Sequence, residues 1–312
     1  MRGPSGVASD NRHDSNHRRL GASSEGRLAW PQAPPATFAS RPVRRVPVSC
    51  PAVPRRLLGC APLMNDSLQK VTRIRYTVRG IELDASGSVS PGWFSRIFEH
   101  TRWQVFAMDN FTLRNRMEGG VARAGTFEYG VPLTYQDELE IATWVARVGR
   151  TSFDFGHKVT RLRDGSLAAR ARMTVVNLGP EGPAPLDPEI ATFVVDEPAP
   201  AVRPWPEGDR LQSWKRQWIV RPSDQDSFRH VNQARYVDYI DDTRWFAAQA
   251  GQAAGLEGPL AGLSVEYRRE THAGEQVQME TWVTGDRKRA YELTRQADGE
   301  LLARGQVLQA ER

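Results

Sequence analysis

Cysteine is almost absent. The 312 residues contain two, Cys50 and Cys60, both within the first 63 residues. From Met64 onward there is no thiol, which excludes a cysteine nucleophile, a thiolate-held metal and a disulfide framework there. That usage fits a cytoplasmic protein better than a secreted one. Long apolar runs are missing too, and no stretch approaches the ~18 residues of a membrane-spanning helix. No secretory apolar core is present either, because Ala29 to Phe38 is broken by prolines. The later histidines, His100, His157, His230 and His272, show no metal-ligand spacing, so neither a metal nor another cofactor is called for. Acids are scarce only at the start. The first 63 residues hold ten Arg, no Lys and three acids, about +7, in a chain of net charge +5, which leaves the remainder about −2. The high pI of 9.5 therefore belongs to the tail. The rest lacks the basic field that nucleic-acid binding needs, and it shows no helix-turn-helix pattern.

Residues 1–63 are rich in Arg, Pro, Ser, Gly and Ala and show no sustained periodicity, so a disordered segment is expected. It reads as a transit peptide, as a basic tail, or as sequence upstream of a working start at Met64. The third reading is preferred because patterned sequence begins just after Met64.

From there to the C-terminus the chain repeats itself. At a shift of 142, Tyr76–Trp103 lies over Trp218–Trp245 without a gap, and Thr101-Arg102-Trp103 meets Thr243-Arg244-Trp245. At 138, Glu128-Tyr129 meets Glu266-Tyr267 and Thr143-Trp144-Val145 meets Thr281-Trp282-Val283. At 134, Asp164-Gly165 meets Asp298-Gly299. Each copy reads as a strand, a helix and a series of long strands. The strands are expected near 72–79, 125–131, 139–148, 151–162 and 167–177, and again near 213–221, 263–269, 277–284, 289–296 and 301–309. The helices are expected after Ser90, where Pro91 takes the first helical position, and after Asn232. The fold class is α+β, each unit a long helix wrapped by an antiparallel sheet. The units span 64–178 and 210–312, and a Pro/Gly-rich linker, 179–209, runs outside both cores. Trp93, Phe94, Trp103, Trp245 and Phe246 are expected to pack between helix and sheet.

The two copies differ at one place. Ahead of its helix, copy two carries Asp226, His230 and Asn232. Copy one carries Asp84, Ser88 and Ser90 at those positions, and Glu270 of copy two meets Pro132. The fold therefore does not demand the His, Asn and Glu. A carboxylate and an imidazole before a helix N-terminus, with its partial positive charge and free N–H groups, suit polarisation of a carbonyl oxygen. One working site and one structural copy is the economical reading.

At Asp224-x-Asp226-x-x-x-His230-Val231-Asn232-x-x-x-Tyr236 and Val265-Glu266-Tyr267-Arg268-Arg269-Glu270 the sequence resembles the acyl-acyl carrier protein thioesterases of the double hotdog type. The resemblance spans about residues 70–312. It implies two hotdog units in tandem, with catalytic Asp226, His230 and Glu270 in the second. Its departures are Phe228 where the family often has Asn, Gln233 where a second Asn is usual, and Thr271 where plant members carry Cys. The implied reaction is hydrolysis of an acyl thioester carried by acyl carrier protein or coenzyme A. Asp226 serves as base or nucleophile, His230 as its acid–base partner or carbonyl donor, and Glu270 orients the water or His230. Asn232 and Gln233 mark the helix start that would hold the oxyanion. The competing readings are a non-catalytic acyl-thioester-binding protein and a hotdog dehydratase. The tandem repeat can act as a monomeric pseudo-dimer or pair further as a homodimer.

Overall fold

The computed structural model describes residues 70–108, 120–206, 209–252 and 258–311. Residues 1–63, Met64 and both cysteines lie outside them. The first repeat comprises β1 (Val71–Thr77), α1 (Pro91–Met108), β2 (Gly120–Tyr129), β3 (Glu138–Val148), β4 (Ser152–Arg161) and β5 (Leu167–Gly179). A two-residue strand, β6 (Gly182–Pro183), comes next. The second repeat comprises β7 (Leu211–Ile219), α2 (Arg235–Gln249), β8 (Leu260–Tyr267), β9 (Gln276–Gly285), β10 (Lys288–Arg295) and β11 (Leu301–Gln309).

All long strands join one antiparallel sheet in the order β1-β3-β4-β5-β2-β8-β11-β10-β9-β7, with β6 attached to β5. The second half of that order is the first half reversed, repeat for repeat. The reversal turns on β2 and β8, where Thr126 faces Ser264, its counterpart at a shift of 138. The strands of the two repeats thus satisfy each other's exposed edge with main-chain hydrogen bonds. The same pseudo-two-fold relation places α1 and α2 side by side on one face of the sheet.

Strand alternation explains the core. Leu139, Ile141, Phe153, Phe155, Ala171 and Met173 are buried against Trp93, Phe94, Ile97 and Phe98 of α1. Leu263, Val265, Met279, Leu293 and Val307 close over Tyr236, Val237 and Ile240 of α2. Gly305 of β11 lets α2 come close, because a Cβ there would lie 2.5 Å from Ile240 Cδ1 and 2.9 Å from the Ser264 carbonyl.

Two expectations need correction. Trp103, Trp245 and Phe246 are 49%, 53% and 41% exposed, not core residues. The inward row of α1 runs through positions 93, 94, 97, 98, 101 and 102, and the 3.6-residue period turns position 103 and its counterpart 245 away. The linker is no loose tether either. Ile190 is fully buried in the core and Leu186 nearly so. Arg172 holds the Ala199 and Pro200 carbonyls, and the Trp144 indole donates to the Glu197 carbonyl.

Candidate active site

The lead-in to α2 is fixed from its first turn. Asp224 is buried and accepts from the Arg221 backbone N–H at 3.2 Å, the Arg221 guanidinium at 2.9 Å and the Tyr239 hydroxyl at 2.9 Å. Burial alone would raise its carboxyl, but these donors outweigh burial and hold it below the usual range. Asp224 is therefore spent on structure, and Asp226 is the carboxylate of the pair that faces His230. The Asp226 N–H bonds the His230 carbonyl at 3.1 Å and the Arg229 N–H bonds the Asp226 carbonyl at 3.0 Å. This closes a tight loop in which Arg229 adopts φ +67°. Its counterpart in copy one is Gly87, at φ +78°, the residue type that takes this conformation without strain.

Inside this loop His230 Nδ1 faces Asp226 Oδ2 at 3.8 Å, with both side chains partly exposed. Asp226 Oδ1 accepts from the Phe228 N–H at 2.9 Å. The main chain thus orients the carboxylate where the family often has an Asn. The Phe228 side chain turns outward, 65% exposed, and its ring lies over that of His230, 5.8 Å between centroids and 10° between planes.

The helix begins later than its sequence suggests. Asn232 starts a turn, its Oδ1 accepting from the Ala234 N–H at 2.8 Å and its carbonyl from the Arg235 N–H at 2.9 Å, and α2 opens at Arg235. A side-chain acceptor for the second N–H along fits an Asx turn as well as a helix cap, so Asn232 alone could not distinguish them. The consequence is chemical. Gln233 lies in the turn, and among the described residues its backbone N–H has no acceptor. Its side-chain Oε1 accepts from the Tyr267 hydroxyl at 3.2 Å.

Glu270 is not on a strand. β8 ends at Tyr267, where the Arg268 and Arg269 N–H groups both turn to the Leu302 carbonyl, and the chain enters a loop. Thr271 is buried there. Its carbonyl accepts from the Val231 N–H at 2.7 Å and its hydroxyl accepts from Tyr236 at 2.9 Å. Burial pushes Tyr236 up to about 12. The Glu270 carboxylate is 71% exposed, with His272 Nε2 4.0 Å away, and His272 Nδ1 lies 3.0 Å from the Arg229 carbonyl. Asp226 and His230 therefore face each other, Asn232 and Gln233 form the turn that follows, and Glu270 reaches the loop only beside His272. A participant the motifs missed is Glu99 of α1, whose Oε1 accepts from Asn232 Nδ2 at 2.8 Å. No sequence signal points to it, since the repeat alignment pairs Glu99 with another acid, Asp241, and Asn232 lies 133 residues away.

Copy one builds the same loop with different side chains. Asp84 Oδ1 accepts from the Ser86 N–H at 2.7 Å, and the Asp84 N–H bonds the Ser88 carbonyl at 2.8 Å. Ser88 replaces the imidazole, and Pro91, which has no N–H, stands where Gln233 does.

A family model described as the thioesterase-like superfamily matches residues 78–194 and 220–310, the two repeats without most of the linker. The chain belongs to the thioesterase-like superfamily. Among solved structures, an acyl-ACP thioesterase from Bacteroides thetaiotaomicron is 19% identical, with a TM-score of 0.66 over 77% of this chain and 97% of that one. The 12:0-ACP thioesterase from Umbellularia californica is 17% identical, with a TM-score of 0.64 over 76% and 93%. An oleoyl thioesterase from Lactobacillus plantarum is 16% identical, with a TM-score of 0.60 over 77% and 97%. At these identities the likeness is one of fold, and the fold of this thioesterase-like chain is the tandem double hotdog. Comparison with curated protein sequences gave no match. Among the described residues no helix is long and apolar enough to cross a membrane.

Proposed function

We propose that this chain hydrolyses acyl thioesters of acyl carrier protein or coenzyme A, releasing a carboxylic acid and a thiol, at the loop before α2. The observation that carries this is the contrast between the copies. Asp226 and His230 face each other at 3.8 Å in the loop that leads into the turn of Gln233, whose N–H has no acceptor among the described residues, whereas the matched loop of copy one has Ser88 and Pro91.

The substrate carbonyl oxygen lies against the Gln233 N–H at the positive end of α2. Asp226 takes a proton from water as the water oxygen bonds to the carbonyl carbon, and the developing oxyanion is held by that N–H. The tetrahedral adduct collapses, the C–S bond breaks, and the departing sulfur takes a proton from His230. Asp226 returns its proton to the imidazole. The thiolate is a good leaving group, so positioning and oxyanion stabilisation make up most of the work. Glu270 acts through His272, which abuts the Arg229 carbonyl beside the catalytic imidazole.

Steady-state thiol release from a panel of acyl-ACP and acyl-CoA thioesters tests the reading and fixes carrier and chain length. Asp226→Ala and His230→Ala are expected to lower kcat at least 100-fold, and Glu270→Ala about 3- to 10-fold. Full turnover by purified, folded Asp226→Ala would overturn the assignment. A wild-type chain that binds thioesters without turning any over would establish a binding protein instead.

A further inference from the structure

The two helices treat their matched carboxylates differently. Asp241 of α2 is bound to Arg244 one turn on, at 2.7 Å and 3.0 Å, within its own helix. Glu99 of α1, its counterpart, stands three residues before Arg102 in the same way, yet among the described residues no ion pair joins the two. Glu99 instead crosses to the other unit and accepts from Asn232 Nδ2 at 2.8 Å. Arg102 is left buried with its Nη1 3.5 Å from His157 Nε2, and burial pulls it down to about 10 despite the charge of Glu99. Glu99 has one more methylene than Asp241, which gives it the reach. Copy one has nothing for Asp241 to grip in return, since Ser90 stands at the Asn232 position and its hydroxyl accepts from the Trp93 N–H at 3.3 Å.

We infer that Glu99, supplied by the first unit, is a positioning residue of the second unit's site. It acts through Asn232. With Nδ2 held by Glu99 and Oδ1 held by the Ala234 N–H, the Asn232 amide has both ends fixed. The turn it spans is the turn that presents the Gln233 N–H to the substrate oxygen. Tyr267 fixes the other side of that turn by donating to Gln233 Oε1. Displacing an oxyanion donor by an ångström is enough to cost about 100-fold. The first repeat, which lacks the chemistry of its own, thus supplies the brace for its neighbour's, and the second unit by itself would hold an incomplete site. The inference rests on the thioesterase reading for its kinetic consequence but not for its geometry.

The test uses the full chain with Glu99→Ala, Glu99→Asp and Glu99→Gln. Loss of the acceptor in Glu99→Ala should lower kcat about 10- to 100-fold with KM within about twofold. Glu99→Asp, too short to reach, should fall as far, whereas Glu99→Gln keeps an acceptor and should stay within about threefold of wild type. Asn232→Ala should be no worse in a Glu99→Ala background than alone. Asp241→Asn, the matched position in the other helix, should leave kcat unchanged. Glu99→Gln falling as far as Glu99→Ala, or multiplicative losses in the double variant, would overturn the brace. The Asn232 side-chain amide resonances give an arm independent of turnover. They should shift and exchange faster with solvent in Glu99→Ala, and unchanged resonances would overturn the inference. A wild type without thioester turnover would overturn the proposed reaction, while those resonances would still decide whether Glu99 orders the turn.

Discussion

Arg96 and Asp238 are the same position in the two repeats, 142 residues apart, and they bind each other, with Nη1 2.7 Å from Oδ1 and 2.6 Å from Oδ2. A residue that meets its own counterpart marks a pseudo-two-fold axis. Here the axis passes between α1 and α2, as it passes between Thr126 and Ser264 in the sheet. The copies have used that position asymmetrically, one cation and one anion, where a symmetric dimer would have to set like against like. Duplication within one chain permits this, and the same freedom lets the two loops carry different side chains, His230 in one and Ser88 in the other.

The pair is partly exposed, so its contribution should be modest, about 0.5–1 kcal/mol. Asp238 also accepts from Arg235 at 3.2 Å. Asp238→Ala should therefore cost more stability than Arg96→Ala, by roughly a few tenths to 1 kcal/mol, and a double-mutant cycle in urea should return a positive coupling between positions 96 and 238. Equal losses with no coupling would show that the helices hold together through apolar contacts alone.

Pro91 supplies an experiment already made in the other copy. Pro91 is the first residue of α1, so the matched position of copy one accommodates a residue with no N–H. Gln233→Pro should accordingly fold, with thermal stability near wild type, and lose about 100- to 1,000-fold in kcat because the oxyanion loses its donor. Gln233→Ala keeps the N–H and gives up only the contact with Tyr267, so a loss of about tenfold or less is expected. Comparable losses in the two variants would place the oxyanion elsewhere.

Much of this fold was legible in the sequence because a repeat is its own control. Blocks at shifts of 142, 138 and 134 defined two units, and period-two burial located the long strands, with the last at Leu301–Gln309 in sequence and structure alike. Asp226 and His230 stood out because copy one lacks the histidine in an otherwise matched loop. What stayed hidden depended on three-dimensional reach. Asn232 signals a cap whether the helix starts at once or one turn later. Glu270 comes after a strand-like run, and only the bifurcated contact at the Leu302 carbonyl ends that strand before it. Glu99 lies 133 residues from Asn232, and no local pattern links them.

Gly305 is a point where the packing has no slack. In Gly305→Ala the new methyl would meet both Ile240 and the Ser264 carbonyl, and the carbonyl belongs to the neighbouring strand and cannot step aside cheaply. The expected cost is about 1–3 kcal/mol, with a Tm fall of roughly 2–4 °C per kcal/mol for a fold of this size. Ile240→Val in the same background should recover part of it by removing the Cδ1 methyl. No recovery would assign the strain to the backbone contact alone.

Acid should destabilise the fold through a buried imidazole. His157 lies between α1 and the sheet, with Nδ1 2.9 Å from the Thr143 hydroxyl, its ring stacked on Phe98 and Arg102 beside it. Burial first, and then the Arg102 charge, hold its pKa well below the ordinary histidine value. The folded state therefore keeps the imidazole neutral where the unfolded chain binds a proton. Stability should fall as the pH drops below about 6.5, by up to ~1.4 kcal/mol per pH unit for this one proton. Asp224 adds a second acid-sensitive step at lower pH, since its depressed carboxyl contributes stability that is present above about pH 4 and lost as the pH falls through its folded value. Urea denaturation from about pH 7.5 to 2.5 should show both limbs. His157→Gln should flatten the slope between about pH 6.5 and 5, and Asp224→Asn should flatten the limb below about pH 4 while lowering stability at neutral pH. An unchanged upper limb in His157→Gln would mean that the imidazole is already protonated in the fold, in spite of the guanidinium at 3.5 Å.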